Sequence, residues 1–192
     1  MTRHALIALL LLGTACVPAA QAQLAATTAG SNRALSAEAR AKALVAAMTT
    51  QEKLAIVHGY FPPMAKPPQP IAMIPSAGHI PGIPRLGIPT LRESDASLGV
   101  ANQIEQRKGD TATALPASLA TAATFNPSIA YAGGAMIGAE ARAKTFNVLL
   151  AGGVNLTRDA WNGRNFEYLG EDPLLAGLMG GESIRGVESN HI

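Results

Sequence analysis

The sequence predicts an α/β fold, one piece of a (β/α)8 TIM-type barrel. Short apolar runs alternate with helix-like stretches that open on recognisable caps, the rhythm of βα units. The charged and aromatic residues gather in the loops that leave the apolar runs. The 192 residues fall short of the roughly 250 that a complete barrel of this kind needs.

The chain begins Met1-Thr-Arg-His4, continues with the apolar run Ala5–Leu12 and reaches Ala20-Gln-Ala22. A basic start, an apolar run too short to span a bilayer and an Ala-x-Ala site read as a secretory signal peptide over residues 1–22. The expected destination is the periplasm or the exterior. Gly13-Thr-Ala-Cys16 leaves a lipoprotein cleavage site open as the alternative. Cleavage after Ala22 would remove Cys16, the single cysteine, so no intramolecular disulfide is expected. No later stretch is long enough for a membrane span.

Residues 23–35, rich in Ala, Thr and Ser, read as a flexible lead-in, and the domain proper runs from 36 to 192. Ser36 opens an Ala-rich helix ending near Met48, with Leu35, Ala39, Leu44 and Ala47 as candidate buried positions. Thr49-Thr-Gln-Glu52 is a capping-box pattern, predicting a second short helix over Gln51–Val57.

Nine prolines lie between residues 62 and 89. Proline lacks an amide donor and biases its predecessor away from helix, so an irregular loop is expected there. His79 falls within it and reads as a solvated residue. A strand is expected over Ile88–Leu91, placing Glu93 and Asp95 just past its C-terminal end, the edge that carries the site in barrel and doubly wound folds. Asn126-Pro127 pairs a cap with a first-turn proline. The predicted helix runs from Pro127 to about Lys144, with Ile129, Met136, Ile137 and Ala141 buried. Phe146–Ala151 is a second short strand, opening into Trp161-Asn-Gly-Arg-Asn-Phe-Glu-Tyr-Leu-Gly-Glu-Asp-Pro173. The same cap-plus-proline signal at Asp172-Pro173 starts a last helix to about Val187.

Several chemistries are excluded by pattern. The net charge of +2 is small and the basic residues are scattered, so nucleic acid is not an expected partner. The four histidines are far apart and metal-ligand spacings are missing, so neither metal nor cofactor is expected. The Gly-x-Ser-x-Gly elbow and the phosphate-binding glycine loop are also missing. Carboxylates, arginines and aromatic rings remain, and these suit sugars: hydroxyls donate to carboxylates and accept from arginine, while rings cover the apolar sugar faces. Asp95 and Arg164, each beyond a strand end, are the candidates to meet on such a ligand. Each has a structural alternative. Asp95 can cap a turn through Ser97 and Gly99, Arg164 can pair with Glu167 or Glu171, Asp172 reads as a helix cap, and Trp161, Phe166 and Tyr168 can be loop anchors.

Five segments then carry a resemblance: Arg40–Leu54, Ile83–Pro89, Ala114–Leu119, Ile137–Arg142 and Asn155–Pro173. In that order they resemble the N-terminal domain of glycoside hydrolase family 3, the β-glucosidase and β-xylosidase family, from about residue 36 to the end. The resemblance implies the N-terminal part of a (β/α)8-type barrel and a retaining mechanism, in which an aspartate attacks the anomeric carbon and a second carboxylic acid protonates the leaving oxygen. It implies sugar-binding roles for Asp95 and Arg164, and supporting ones for Arg158 and Glu167. The expected substrate is a terminal β-D-glucosyl residue of a β-glucoside or oligosaccharide. Both catalytic carboxylates, and a Lys-His pair that grips the sugar, are expected beyond Ile192, so this stretch alone is expected to be inactive. A non-catalytic secreted sugar-binding module and a β-xylosidase are the alternatives. Near the first candidate, Asp95-Ala-Ser stands where many members have Asp-Gly-Pro or Asp-Ser-Pro.

Overall fold

The computed structural model describes residues 21, 24, 28, 30–61 and 73–192. The signal-peptide expectation therefore lies outside the described residues apart from Gln21, as does the proline-rich stretch 62–72. Within the lead-in, Leu24, Thr28, Gly30 and Ser31 are helical, in keeping with alanine being the best helix former. The chain divides into two compact units, the first up to Gly59 together with Ile80–Thr90, the second Tyr60–His79 with Leu91–Ile192.

In the first unit, helix α1 (Ala37–Ala47) is capped by the Ser36 hydroxyl, and α2 (Thr50–His58) by a complete capping box. Glu52 N–H donates to Thr49 Oγ1 at 3.2 Å, and Thr49 N–H donates back to Glu52 Oε2 at 2.8 Å. The same Glu52 carboxylate accepts from the Arg85 guanidinium, Nε to Oε1 at 2.6 Å, while Arg85 Nη2 also donates to the Ala47 carbonyl at 2.8 Å. One arginine thus holds the end of α1 and the start of α2. Ile83 and Leu86 are buried against Leu44, Ala47, Met48, Ile56 and Ile88. Leu35 and Ala39, expected inside, are exposed. Only the Leu44/Ala47 side of α1 faces the 83–88 segment, and an Ala-rich helix gives no periodic signal to say so.

The second unit carries all of the sheet but Ile80; its order is β1-β2-β3, with β1 at Gly78–Ile80, β2 at Leu91–Asp95 and β3 at Val148–Leu150. β2 and β3 run parallel, Glu93 opposite Val148 and Asp95 opposite Leu150. Between them lie α3 (Ser118–Ala122) and α4 (Pro127–Ala143), and after β3 comes α5 (Pro173–Glu188). This is a mixed α/β fold with a parallel strand–helix–strand crossover.

The expected strand at Ile88–Leu91 is displaced. Ile88 instead exchanges backbone hydrogen bonds with Ile83 across a tight turn, Pro89 has no amide to give, and pairing with β3 selects the residues that follow. Glu93 and Asp95 therefore lie within β2, Asp95 as its last residue, rather than past its end. β3 is shorter than expected because Phe146 N–H still bonds to the Ala141 carbonyl of α4, and the Asn147 side chain accepts from Arg92 N–H.

His79, read as solvated, is 2% exposed. It lies in β1, exchanging backbone bonds with Tyr60 at 2.7 and 2.9 Å. Burial pushes its imidazole below the ordinary value, and nearby Arg92 adds to the shift.

Both long helices begin as the caps predict. Asn126 accepts from Ser128 N–H, and Asp172 accepts from Leu174 and Leu175 N–H. Their packed faces are made of small residues. α4 buries Ala130, Gly134, Ile137, Gly138 and Ala141, while Ile129, expected inside, is exposed. The reason lies in the approach of α5: a Cβ at Gly134 would collide with the Ser183 carbonyl, and one at Gly186 would sit 2.6 Å from Ala135 N. Glycine lets the two backbones touch, so the glycine face rather than the bulkier one is turned inward. Two apolar clusters close the unit. Ala96, Val100, Ile137, Ala141 and Phe146 form one, and Ala122, Ala130, Leu169, Ala176 and Met179 the other. Among the described residues, no helix is long and apolar enough to cross a membrane.

Candidate functional site

Parallel pairing puts the C-terminal ends of β2 and β3 side by side, so the loops that follow Asp95 and Leu150 leave the same edge of the sheet. The first loop folds back at once. Ala101 N–H donates to the Asp95 carbonyl at 2.8 Å, Leu115 N–H to the Leu98 carbonyl at 2.8 Å, and the Gln103 side-chain amide to Asp95 Oδ2. The Asp95 carboxylate is thus held by Gln103 rather than capping a turn through Ser97 and Gly99.

The second loop is organised largely by its own side chains. Asp159 Oδ1 accepts from Trp161 N–H, Asn162 Oδ1 from Arg164 N–H, and Asn165 Nδ2 donates to the Asp159 carbonyl. A single 3-10 turn over Asn165–Glu167 follows. Across it Arg164 and Glu167 form a two-point ion pair, Nε to Oε1 at 2.9 Å and Nη2 to Oε2 at 2.7 Å. The pair is asymmetric: the Glu167 side chain is 13% exposed and that of Arg164 68%. The carboxylate is the sunk anchor and the guanidinium is presented to solvent. Hydrogen bonding to Arg164 holds the Glu167 carboxyl below the ordinary value against an opposing effect of burial, with a smaller lowering contribution from Ser97. Glu167 in turn raises the Arg164 guanidinium, with a smaller contribution from Asp95.

Asp95, Gln103, Arg164, Phe166 and Glu167 line one open cleft of about 600 Å³. The structure therefore brings together the two residues that the sequence singled out. Arg158 is exposed, makes no hydrogen bond or ion pair with the described residues and does not line the cleft. Trp161 is 94% exposed and also lies off the lining, whereas Phe166, half exposed, forms part of the wall. Gln103 is not among the residues that the sequence singles out. Gln103 carries no motif, and only its return to Asp95 in space reveals it.

A larger cavity of about 750 Å³ is walled mainly by apolar side chains, among them Leu115, Ile137, Leu149 and Met179, which offer nothing to a hydroxyl-rich ligand. Among the described residues no cluster of His, Cys, Asp and Glu could hold a metal. The smaller cleft offers a carboxylate acceptor, a guanidinium donor and an amide within one open space. Such groups can accept from and donate to hydroxyls. Its second carboxylate, Glu167, has both oxygens engaged by Arg164 and is not free to attack or protonate.

The N-terminal domain of glycosyl hydrolase family 3 matches residues 75–192. The chain belongs to this family. Beta-glucosidase BoGH3A of Bacteroides ovatus is 45% identical over 119 residues, 58% of this chain and 16% of its own length. Probable beta-glucosidase F of Emericella nidulans is 39% identical over 151 residues, covering 78% of this chain and 16% of that protein. Among solved structures, the β-glucosidase DesR of Streptomyces venezuelae, in complex with D-glucose, superposes with a TM-score of 0.66 at 36% identity, over 79% of this chain and 18% of that one. The chain thus spans about a sixth of the length of these family 3 relatives and corresponds to the N-terminal portion of the α/β enzymes it resembles.

Proposed function

We propose that this family 3 chain supplies the first-sugar contacts of a retaining β-glucosidase-like hydrolase acting on terminal β-D-glucosyl residues. Asp95 accepts from sugar hydroxyls and Arg164 donates to them, with Glu167 holding the guanidinium in place. The convergence of Asp95 and Arg164 on one open cleft at the ends of two parallel strands carries this reading. In it, β2, the helices after it and β3 are successive parts of a (β/α)8 barrel, and both catalytic carboxylates come from outside residues 1–192. Export through the signal peptide at residues 1–22 completes the proposal, with the enzyme working in the periplasm or outside the cell.

The test is substitution in the enzyme that carries this domain. A hydrogen bond to a charged group contributes about 1.5–3 kcal/mol, so Asp95→Ala and Arg164→Ala should each weaken D-glucose binding by about 10- to 100-fold. Unchanged binding in both variants would overturn the assignment. The 192-residue chain alone should not hydrolyse an aryl β-glucoside, and turnover by it would refute the placement of the catalytic carboxylates.

A further inference from the structure

Arg107 lies off the cleft lining, and its side chain is 11% exposed. Its guanidinium is nonetheless bonded in three directions: Nε to Asp110 Oδ2 at 2.6 Å, Nη1 to the Pro75 carbonyl at 2.8 Å and Nη2 to the Ala101 carbonyl at 2.7 Å. It also lies over the ring of buried Phe146, 5.1 Å from the centroid. Its backbone is clasped by Asn102, whose Oδ1 accepts from Arg107 N–H and whose Nδ2 donates to the Arg107 carbonyl. Asp110 is held a second time by Lys144, at the end of α4.

So much bonding on one partly sunken side chain calls for a reason. The pattern converges on residues 101–103. Ala101, whose carbonyl Arg107 grips, donates its own N–H to the Asp95 carbonyl, and two residues on Gln103 donates to the Asp95 carboxylate. Arg107 thus fixes, against the Phe146 core, the short strap that holds Asp95 by both backbone and side chain.

We infer that Arg107 is a positioning residue for Asp95, acting through Ala101 and Gln103 to set sugar affinity in a cleft that it does not line. The inference rests on the reading of Asp95 as a sugar-binding residue. A planar fork is needed, because Arg107 donates from three separate nitrogens, whereas a lysine offers its three donors from a single ammonium and cannot reproduce that spread.

The experiment is a double-mutant cycle in the enzyme that carries this domain, with D-glucose as the probe and calorimetry as the readout. Arg107→Lys should weaken glucose by about tenfold, the scale of coupling within one hydrogen-bond network. In the Asp95→Ala background the same change should cost nothing further. A purely structural role would instead give additive effects. Unchanged glucose affinity in Arg107→Lys, or additivity with Asp95→Ala, overturns the inference while leaving the role of Asp95 intact. Unchanged affinity in Asp95→Ala alone removes the functional reading and this inference with it. Should Arg107→Lys fail to fold, Gln103→Leu breaks the last link at an exposed position. It should likewise weaken glucose, non-additively with Asp95→Ala, and an unchanged affinity there refutes the chain of contacts.

Discussion

The glycine contact between α4 and α5 makes a prediction in which one chemical change has opposite signs at two places on one helix. An alanine at Gly186 would put its methyl 2.6 Å from Ala135 N and 3.0 Å from the Gly134 carbonyl carbon. These are backbone atoms, with no rotamer to turn aside, so the helices must part. Gly181, five residues earlier on α5, has nothing within 4 Å of a built Cβ among the described residues. Replacing glycine by alanine inside a helix gains about 0.5–1 kcal/mol at either position. Overpacking costs about 1–3 kcal/mol, and the unyielding neighbours place Gly186→Ala toward the upper end. Gly181→Ala should therefore stabilise by up to about 1 kcal/mol and Gly186→Ala destabilise by about 2 kcal/mol. Urea unfolding of the purified protein reads both as midpoint shifts at constant slope. Equal midpoints for the two variants would refute the close approach of these helices.

The remaining predictions concern the helix starts and acid stability. Hydrogen bonding to Arg85 and to Thr49 N–H brings the Glu52 carboxyl from 4.5 down to about 2. Its folded value is depressed, so its contribution is fully present above pH 4.5 and lost as the pH falls toward 2. Glu52→Gln should flatten that part of the acid limb of a pH–stability curve, and an unaltered limb would count against the Arg85 pairing. Asp172 caps two amides at the start of α5, so Asp172→Ala should cost about 1 kcal/mol, measured by thermal unfolding, and a neutral result would refute the cap. Phe146 is buried in the cluster with Ala96, Val100, Ile137 and Ala141, and Phe146→Ala should lose about 3–5 kcal/mol, a loss that denaturant titration would detect.

What the sequence made legible is local chemistry. Ser36, Thr49 with Glu52, Asn126 with Pro127, and Asp172 with Pro173 each announce a helix start within four residues, and each cap is made. The strand expected at Ile88–Leu91 forms instead at Leu91–Asp95, because a short apolar run next to prolines does not say which residues its partner will choose. Pairing with Val148–Leu150 decides that. The inward faces of α1 and α4 were hard to read for a related reason: alanine and glycine carry little hydrophobic contrast, and burial there follows from how closely another segment can approach. His79 shows the same limit, since neither its pairing with Tyr60 nor its burial follows from any pattern of neighbours. At the cleft, the charged pair of candidates was visible in the loop chemistry, whereas Gln103 became a partner of Asp95 only once the chain had turned back on itself.

The loop that presents Arg164 takes much of its shape from within. Asp159, Asn162 and Asn165 supply the turns, and Thr157 N–H closes onto the Gly170 carbonyl at 3.0 Å. A segment whose geometry is written mostly in its own side chains behaves as a cassette. It can keep its form while the surfaces facing it diverge, so different opposing walls can be set against the same arginine without redesigning the piece that offers it.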